Sequence, residues 1–213
     1  MLKLGASLLA LAAVVAVVFL INRGGDSGGD DDSDQQFYGY FLRDVEAMQE
    51  MGLPVYWLGR GFTAEGLSFQ GPYGVGFGGE VEGGGVNMDY VAWLDGTPFE
   101  GTNTGLEITI YGPNAWERVK DRLLNPRSPP PGNVKPTRRT VAVGGREADL
   151  LSIPEVNRPL GRLRLVLELD PIVVVAEAAS GGPVTPGGPD YSPFINDPDL
   201  FVQVMQDLRP YPE

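Results

Sequence analysis

The chain has 213 residues and a formal net charge of −12, and it contains neither cysteine nor histidine. Disulfides, thiol nucleophiles, imidazole acid–base catalysis and metal sites built on histidine or cysteine are therefore excluded. The acidic balance argues against nucleic acid as a partner. Hydrophobic residues make up 42% of the chain, which is enough to build a core.

The first feature along the chain is an apolar segment, residues 4–21, which carries no charge over 18 residues. As a helix it would rise about 27 Å, close to the thickness of a bilayer's hydrocarbon core. Lys3 and the terminal amine precede it and Arg23 follows it, so the positive-inside rule favours a cytoplasmic tail at residues 1–3 and an extracytoplasmic body. The segment is longer than a signal-peptide core, and we predict an uncleaved transmembrane anchor in the bilayer.

The next segment, residues 24–36, contains glycine, serine, five aspartates and no apolar residue. It has nothing to bury, so we predict a disordered acidic tether. Asp30, Asp32 and Asp34 have the spacing of the first ligands of a calcium-binding loop. Gln35 and Phe41 stand where such a loop needs glycine and glutamate, so no metal site is predicted.

The first half of the body, residues 37–124, begins with a predicted helix over residues 37–51. Its apolar residues recur on one face, and Gly52 and Pro54 end it. Strands are predicted at residues 55–59, 67–77, 86–94 and 106–111. A second helix follows over residues 113–124, with Pro113 at its first position and Trp116 on its buried stripe.

The second half, residues 138–213, follows a connector at residues 125–137 that holds five prolines. Two strands around Gly144 and Gly145 predict a hairpin. Further strands are predicted at residues 162–169 and 172–178, followed by a loop at residues 180–196. A last helix is predicted from the N-cap Asp197.

The two halves have similar element orders, each being several strands followed by a helix. Their helices align at a constant offset of 85, which pairs Pro113 with Pro198 and Trp116 with Phe201. We therefore predict an α+β fold of antiparallel strands with amphipathic helices packed on them. Its two similar units would join at the connector, and whether they arose by duplication is left open.

A glycine-rich stretch contains the spacing G-x-G-x-x-G at Gly74, Gly76 and Gly79. The residues after it hold three more glycines and cannot begin the helix that a dinucleotide site needs, so no cofactor site is predicted. The same stretch contains Tyr73, the best candidate for an exposed ligand contact.

Paired carboxylates could hydrolyse a glycoside without histidine or cysteine. The candidate pairs are Glu80 with Glu82, Glu168 with Asp170, and Asp95 with Glu100. Spacing alone does not distinguish such pairs from solvated strand faces, so no catalytic residue is assigned and we predict that the chain is not an enzyme.

The predicted order of the chain is one membrane span, an acidic tether and a β-rich body that ends in an amphipathic helix. In this order it resembles bacterial single-pass membrane-anchored extracytoplasmic domains of unknown function. The residues that carry the resemblance are VGGREA at residues 143–148 and the final helix at residues 197–208. The chain is distantly similar to lipoprotein-like and anti-sigma-factor-like sensor domains. The resemblance covers the last third of the chain and assigns no functional residue.

The function predicted from these features is non-catalytic binding or envelope assembly, with an envelope protein or ligand as partner. Two alternatives stay open. A carboxylate-dependent hydrolase of envelope carbohydrate would require two acids that face each other in a cleft. A structural envelope component would require that the body self-associates.

Overall fold

A computed structural model of the chain describes residues 30–74, 85–94, 97–98, 105–126, 135–155, 158–179 and 193–212. The helices are α1 (Asp30–Glu50), α2 (Pro113–Leu124), α3 (Pro193–Asn196) and α4 (Pro198–Met205). The strands are β1 (Val55–Trp57), β2 (Gly61–Ala64), β3 (Leu67–Gly74), β4 (Gly85–Leu94), β5 (Thr97–Pro98), β6 (Leu106–Tyr111), β7 (Thr137–Val143), β8 (Arg146–Glu155), β9 (Arg158–Leu169), β10 (Ile172–Ala179) and β11 (Arg209–Tyr211).

Nine of these strands form one antiparallel sheet, in the order β2-β3-β4-β6-β10-β9-β8-β7, with β5 paired to β4. The other two, β1 and β11, pair with each other. The chain therefore has the predicted α+β architecture with antiparallel strands. The helix over residues 113–124, the strand over residues 106–111 and the hairpin at Gly144 and Gly145 are confirmed.

The period-two alternation of the strands separates two faces of the sheet. On β6, Leu106, Ile108 and Ile110 point to one side and belong to the larger core, together with residues of α1, α3 and α4. We call this the inner face. The opposite, outer face carries a second apolar cluster where α2 packs on β8, β9 and β10 through Trp116, Val119 and other residues.

The first helix is longer than the sequence predicts, since α1 begins at Asp30 and not at residue 37. Residues 30–36 of the predicted tether are therefore helical. The composition of the segment had predicted disorder for these residues as well. The predicted stripe is confirmed at Phe41, Val45 and Met48, which are buried.

Two short elements near the end of the chain differ from the prediction. Helix α3 lies within the predicted loop, because Phe194 and Ile195 are buried in the larger core. Asp197 then caps α4 as predicted, and its side chain accepts hydrogen bonds from the backbone N–H groups of Asp199 and Leu200. Strand β11, which the sequence did not predict, pairs with β1 at the far end of the chain.

The halves predicted as separate units share the sheet, and residues 34–213 form one compact unit. Strands β6 and β10, one from each half, lie side by side. The helices aligned by the offset of 85 pack on opposite faces, α2 outside and α4 inside. The same offset carries Tyr111 in β6 to Asn196 in α3, so the alignment does not extend to the strands.

Some predicted features lie outside the described residues, namely the anchor at residues 4–21, positions 127–134 of the connector, and Gly76 and Gly79. Within the described part of the chain, no helix has both the length and the apolar character needed to cross a bilayer.

Tyr90 ties β4 to the segment that follows β1. Its hydroxyl accepts a hydrogen bond from the Leu58 N–H at 3.0 Å and donates one to the Gly59 carbonyl at 3.2 Å, and the side chain is fully buried.

The substitution Tyr90→Phe leaves both backbone groups without this partner. We therefore expect it to lower the free energy of unfolding, measured by urea denaturation, by about 1–3 kcal/mol. A Tyr56→Phe variant, whose residue is only half-buried, is the control and should change little. Equal effects of the two substitutions would contradict this role.

Candidate binding groove

The outer face of the sheet carries a continuous row of ionisable residues. Strand register places Asp89 of β4 opposite Glu107 of β6, Glu107 opposite Glu177 of β10, and Glu177 opposite Arg164 of β9. We call Asp89, Glu107 and Glu177 the acid row. Carboxylates directly opposite each other on neighbouring strands repel, so each of the three must be stabilised in its place.

Glu177 is stabilised by two arginines of β9. The Arg162 Nη1 lies 3.0 Å from its Oε2, and the Arg164 Nε donates to its Oε1. Arg164 is only 7% exposed, and its Nη1 also donates to the Leu123 carbonyl at 2.6 Å. That carbonyl belongs to the last turn of α2, where carbonyls lack partners within the helix. Arg164 therefore joins the acid row to α2.

Glu107 accepts hydrogen bonds from two polar neighbours on the outer face. The Asn87 Nδ2 donates to its Oε1 at 3.2 Å, and the Thr109 Oγ1 lies 3.5 Å from the same oxygen. The residue is exposed, so water also reaches it. Glu107 thus occupies the central position of the acid row, between Asp89 and Glu177.

Asp89 is stabilised by keeping its proton. Burial of its carboxyl, together with the smaller effect of the nearby negative charge of Glu107, raises the pKa from 3.8 to about 8. At neutral pH this side chain is therefore a neutral acid, since a buried charge without a cation partner is costly. Within the acid row, Asp89 is therefore the carboxyl group that keeps its proton.

Beside the acid row, an open groove of about 290 Å³ lies between α2 and the sheet. It is lined by Glu107, Thr109, Tyr111, Arg122, Leu123, Arg162, Arg164, Val175 and Glu177. Three arginines and two glutamates make this lining positive by one charge, although the whole chain has a net charge of −12. The groove is thus a local positive region on an acidic protein.

Tyr73, the residue singled out from the sequence, lies in β3 and not in a loop. It is half-buried, and the register places it opposite Asp89, so it extends the row of outer-face residues by one strand. A direct ligand contact by Tyr73 stays a prediction.

Of the acid pairs considered from the sequence, the one that lies among the described residues takes no part in this site. Glu168 and Asp170 are exposed, at the end of β9 and in the following turn, and neither lines the groove. Glu80, Glu82, Asp95 and Glu100 lie outside the described residues. The described residues also contain no group of three or more acidic side chains arranged to hold a metal ion.

Sequence reasoning missed the acid row because its members come from strands far apart in the chain. The alternation in LEITIY is sufficient to place Glu107 on the polar face of β6. This alternation does not indicate which strand lies beside β6. Glu107 and Glu177 come together only because β6 pairs with β10.

No protein-family model matches the chain. A comparison with curated proteins finds no match either. A function must therefore be inferred from the chemistry of the groove and its surroundings.

Proposed function

We propose that the chain is a non-catalytic binding domain, held outside the membrane by an anchor at residues 4–21, and that its groove takes a ligand with an anionic group. The observation that carries the proposal is the set of three arginines, Arg122, Arg162 and Arg164, around one cavity of an acidic protein. Guanidinium groups bind carboxylates and phosphates through charge-assisted hydrogen bonds.

The size of the groove sets the size of the ligand. Its volume of about 290 Å³ is at the lower end of the range for small-molecule sites. This suits a small metabolite or the charged end of a larger molecule. Val175 and Leu123 form an apolar part of the lining beside the charged residues, against which a short alkyl chain of the ligand could pack.

The anchor proposal rests on the sequence of residues 4–21 and has its own test. After alkaline carbonate extraction of cell membranes, the full-length chain should stay in the membrane pellet. Recovery of the full-length chain in the supernatant would contradict an anchor.

Binding is tested by calorimetry on the full chain in detergent micelles, with butanoate and inorganic phosphate as probes. We expect Arg122→Gln to weaken binding of at least one probe about tenfold, which corresponds to about 1.4 kcal/mol. The matched control is Arg118→Gln, one turn earlier on α2 and outside the groove lining, which should bind like the wild type. Absence of heat for both probes, or equal weakening by both substitutions, would refute the proposal.

A second candidate, a hydrolase of envelope carbohydrate, is favoured by the pairing of Asp89 with Glu107. Residues directly opposite on antiparallel strands have Cβ atoms about 4.5–5.5 Å apart. A neutral Asp89 could protonate the leaving oxygen while Glu107 attacks the sugar carbon or activates water, as carboxyl pairs with separated pKa values do. Release of reducing ends from purified peptidoglycan should then be lost in Glu107→Gln and kept in Glu168→Gln, and no release by the wild type would exclude this function.

A further inference from the structure

The formal charge of the groove lining is small, although five of its residues are charged. The lining holds three arginines and two glutamates, namely Arg122, Arg162, Arg164, Glu107 and Glu177. Its net charge of plus one does not depend on which hydrogen bonds these five side chains make. A ligand with one negative charge therefore leaves the filled groove neutral, whereas a second negative charge leaves it negative.

Glu177 weakens the positive field of the groove from its floor. Strand β10, which carries this residue, lies between β6 and β9. The Glu177 carboxylate forms ion pairs with Arg162 and Arg164, and its side chain is only 16% exposed. Opposite charges in contact largely cancel at longer range, so a ligand is attracted less strongly than by two separate cations. Glu107 adds a second negative charge from the β6 side of the groove.

The charge of an anion affects its desolvation more strongly than its attraction to the groove. The free energy of removing an ion from water scales with the square of its charge, whereas its attraction to fixed charges scales with the charge itself. A carboxylate or a phosphodiester has one negative charge, and a phosphate monoester has about −1.5 to −2 at pH 7. A weakly positive lining therefore favours the singly charged groups.

We propose that the groove selects a ligand whose anionic group carries one negative charge over a ligand whose group carries two, and that Glu177 and Glu107 set this preference. This inference rests on the proposed binding function and specifies its ligand class, which is carboxylates and phosphodiesters as opposed to phosphate monoesters. The apolar lining residues Val175 and Leu123 contact the alkyl part of any of these ligands, so they do not discriminate among them.

The test compares three probes with the same propyl group by calorimetry on the full chain in detergent micelles at pH 7. The probes are butanoate and methyl propyl phosphate, which have one negative charge, and propyl phosphate, which has about two. We expect the two singly charged probes each to bind about tenfold more tightly than propyl phosphate. The tighter of these two assigns the ligand as a carboxylate or as a phosphodiester.

Three results would count against the account in different ways. Binding of propyl phosphate as tightly as the singly charged probes would overturn the proposed preference while leaving an anion site. Methyl propyl phosphate that binds as weakly as propyl phosphate would also overturn it, because the groove would then discriminate by shape and not by charge. Absence of binding by all three probes would overturn the binding function itself.

The substitution Glu177→Gln tests the residue on the floor, since it removes one negative charge and keeps an oxygen that accepts hydrogen bonds. We expect about threefold tighter binding of butanoate and about tenfold tighter binding of propyl phosphate, because the gain in attraction is proportional to the charge of the ligand. The preference for butanoate should thus fall to about threefold. Glu168→Gln makes the same charge change at an exposed position of β9 outside the lining, and it should keep the wild-type affinities.

Glu107→Gln is a second variant, which leaves the ion pair between Glu177 and the buried Arg164 unchanged. Glu107 is exposed on β6, and its replacement removes the other negative charge of the lining. The preference for butanoate over propyl phosphate should again fall to about threefold. This variant carries the test alone if circular dichroism shows that Glu177→Gln does not fold. An unchanged preference in the folded variants would overturn the proposal.

Discussion

Replacement of Arg164 with methionine is expected to lower the free energy of unfolding by about 3–5 kcal/mol. The substitution removes a buried cation and leaves Glu177 with Arg162 as its remaining ion-pair partner. It also removes the donor to the Leu123 carbonyl at the end of α2. Urea denaturation followed by circular dichroism measures the loss.

Two control variants separate the loss of a buried ion pair from a general effect of losing charge. Arg138→Met breaks an ion pair with Asp149 in which the arginine side chain is 53% exposed, so we expect at most about 1 kcal/mol. Combining Arg164→Met with Glu177→Leu removes both charges, and this double variant should recover much of the stability. If Arg164→Met costs no more than Arg138→Met, Arg164 does not hold the groove together.

Replacement of Asp89 with asparagine is expected to increase stability at alkaline pH and not at acid pH. The folded-state pKa of about 8 lies above the ordinary value of 3.8, so the folded chain binds the proton more tightly than the unfolded chain. Stability from this group is therefore fully present below about pH 4 and is lost as the pH rises through about 8. Asparagine cannot ionise, so at pH 8.5 the free energy of unfolding of the variant should exceed that of the wild type by roughly 2–3 kcal/mol. This is less than the energy that corresponds to the whole pKa shift, because Asp89 keeps some exposure to water.

The measurement is urea unfolding of the wild type and the Asp89→Asn variant at several pH values from 4 to 8.5. Asp170→Asn, at an exposed turn position, is the matched control and should follow the wild type at every pH. Parallel pH profiles for Asp89→Asn and the wild type would show that Asp89 ionises with an ordinary pKa.

Local patterns predicted local structure well in this chain. Strand β6 and helix α2 have the predicted bounds, because alternation specifies a half-buried strand and Pro113 marks a helix start. The β7–β8 hairpin followed from Gly144 and Gly145, which both have positive φ angles. Each of these signals lies within a few residues of the structure that it specifies.

Features that depend on distant parts of the chain were not predictable in this way. Strand β11 contains Pro210 and has three residues, so only its partner β1 makes it a strand. The acid pairs considered from the sequence are close together in the chain, whereas Asp89 and Glu107 come from two different strands. Placing them together requires the order of strands in the sheet, which is set by packing of the whole core.

The most direct test of the binding groove is an NMR titration of the full chain with butanoate, which follows the arginine Nε–Hε signals. The signals of Arg162 and Arg164 should shift and saturate together, while those of Arg43 and Arg146, which lie outside the groove lining, stay in place. Equal shifts of all four signals would contradict a ligand site in this groove. So would signals of Arg162 and Arg164 that do not move even at the highest ligand concentration.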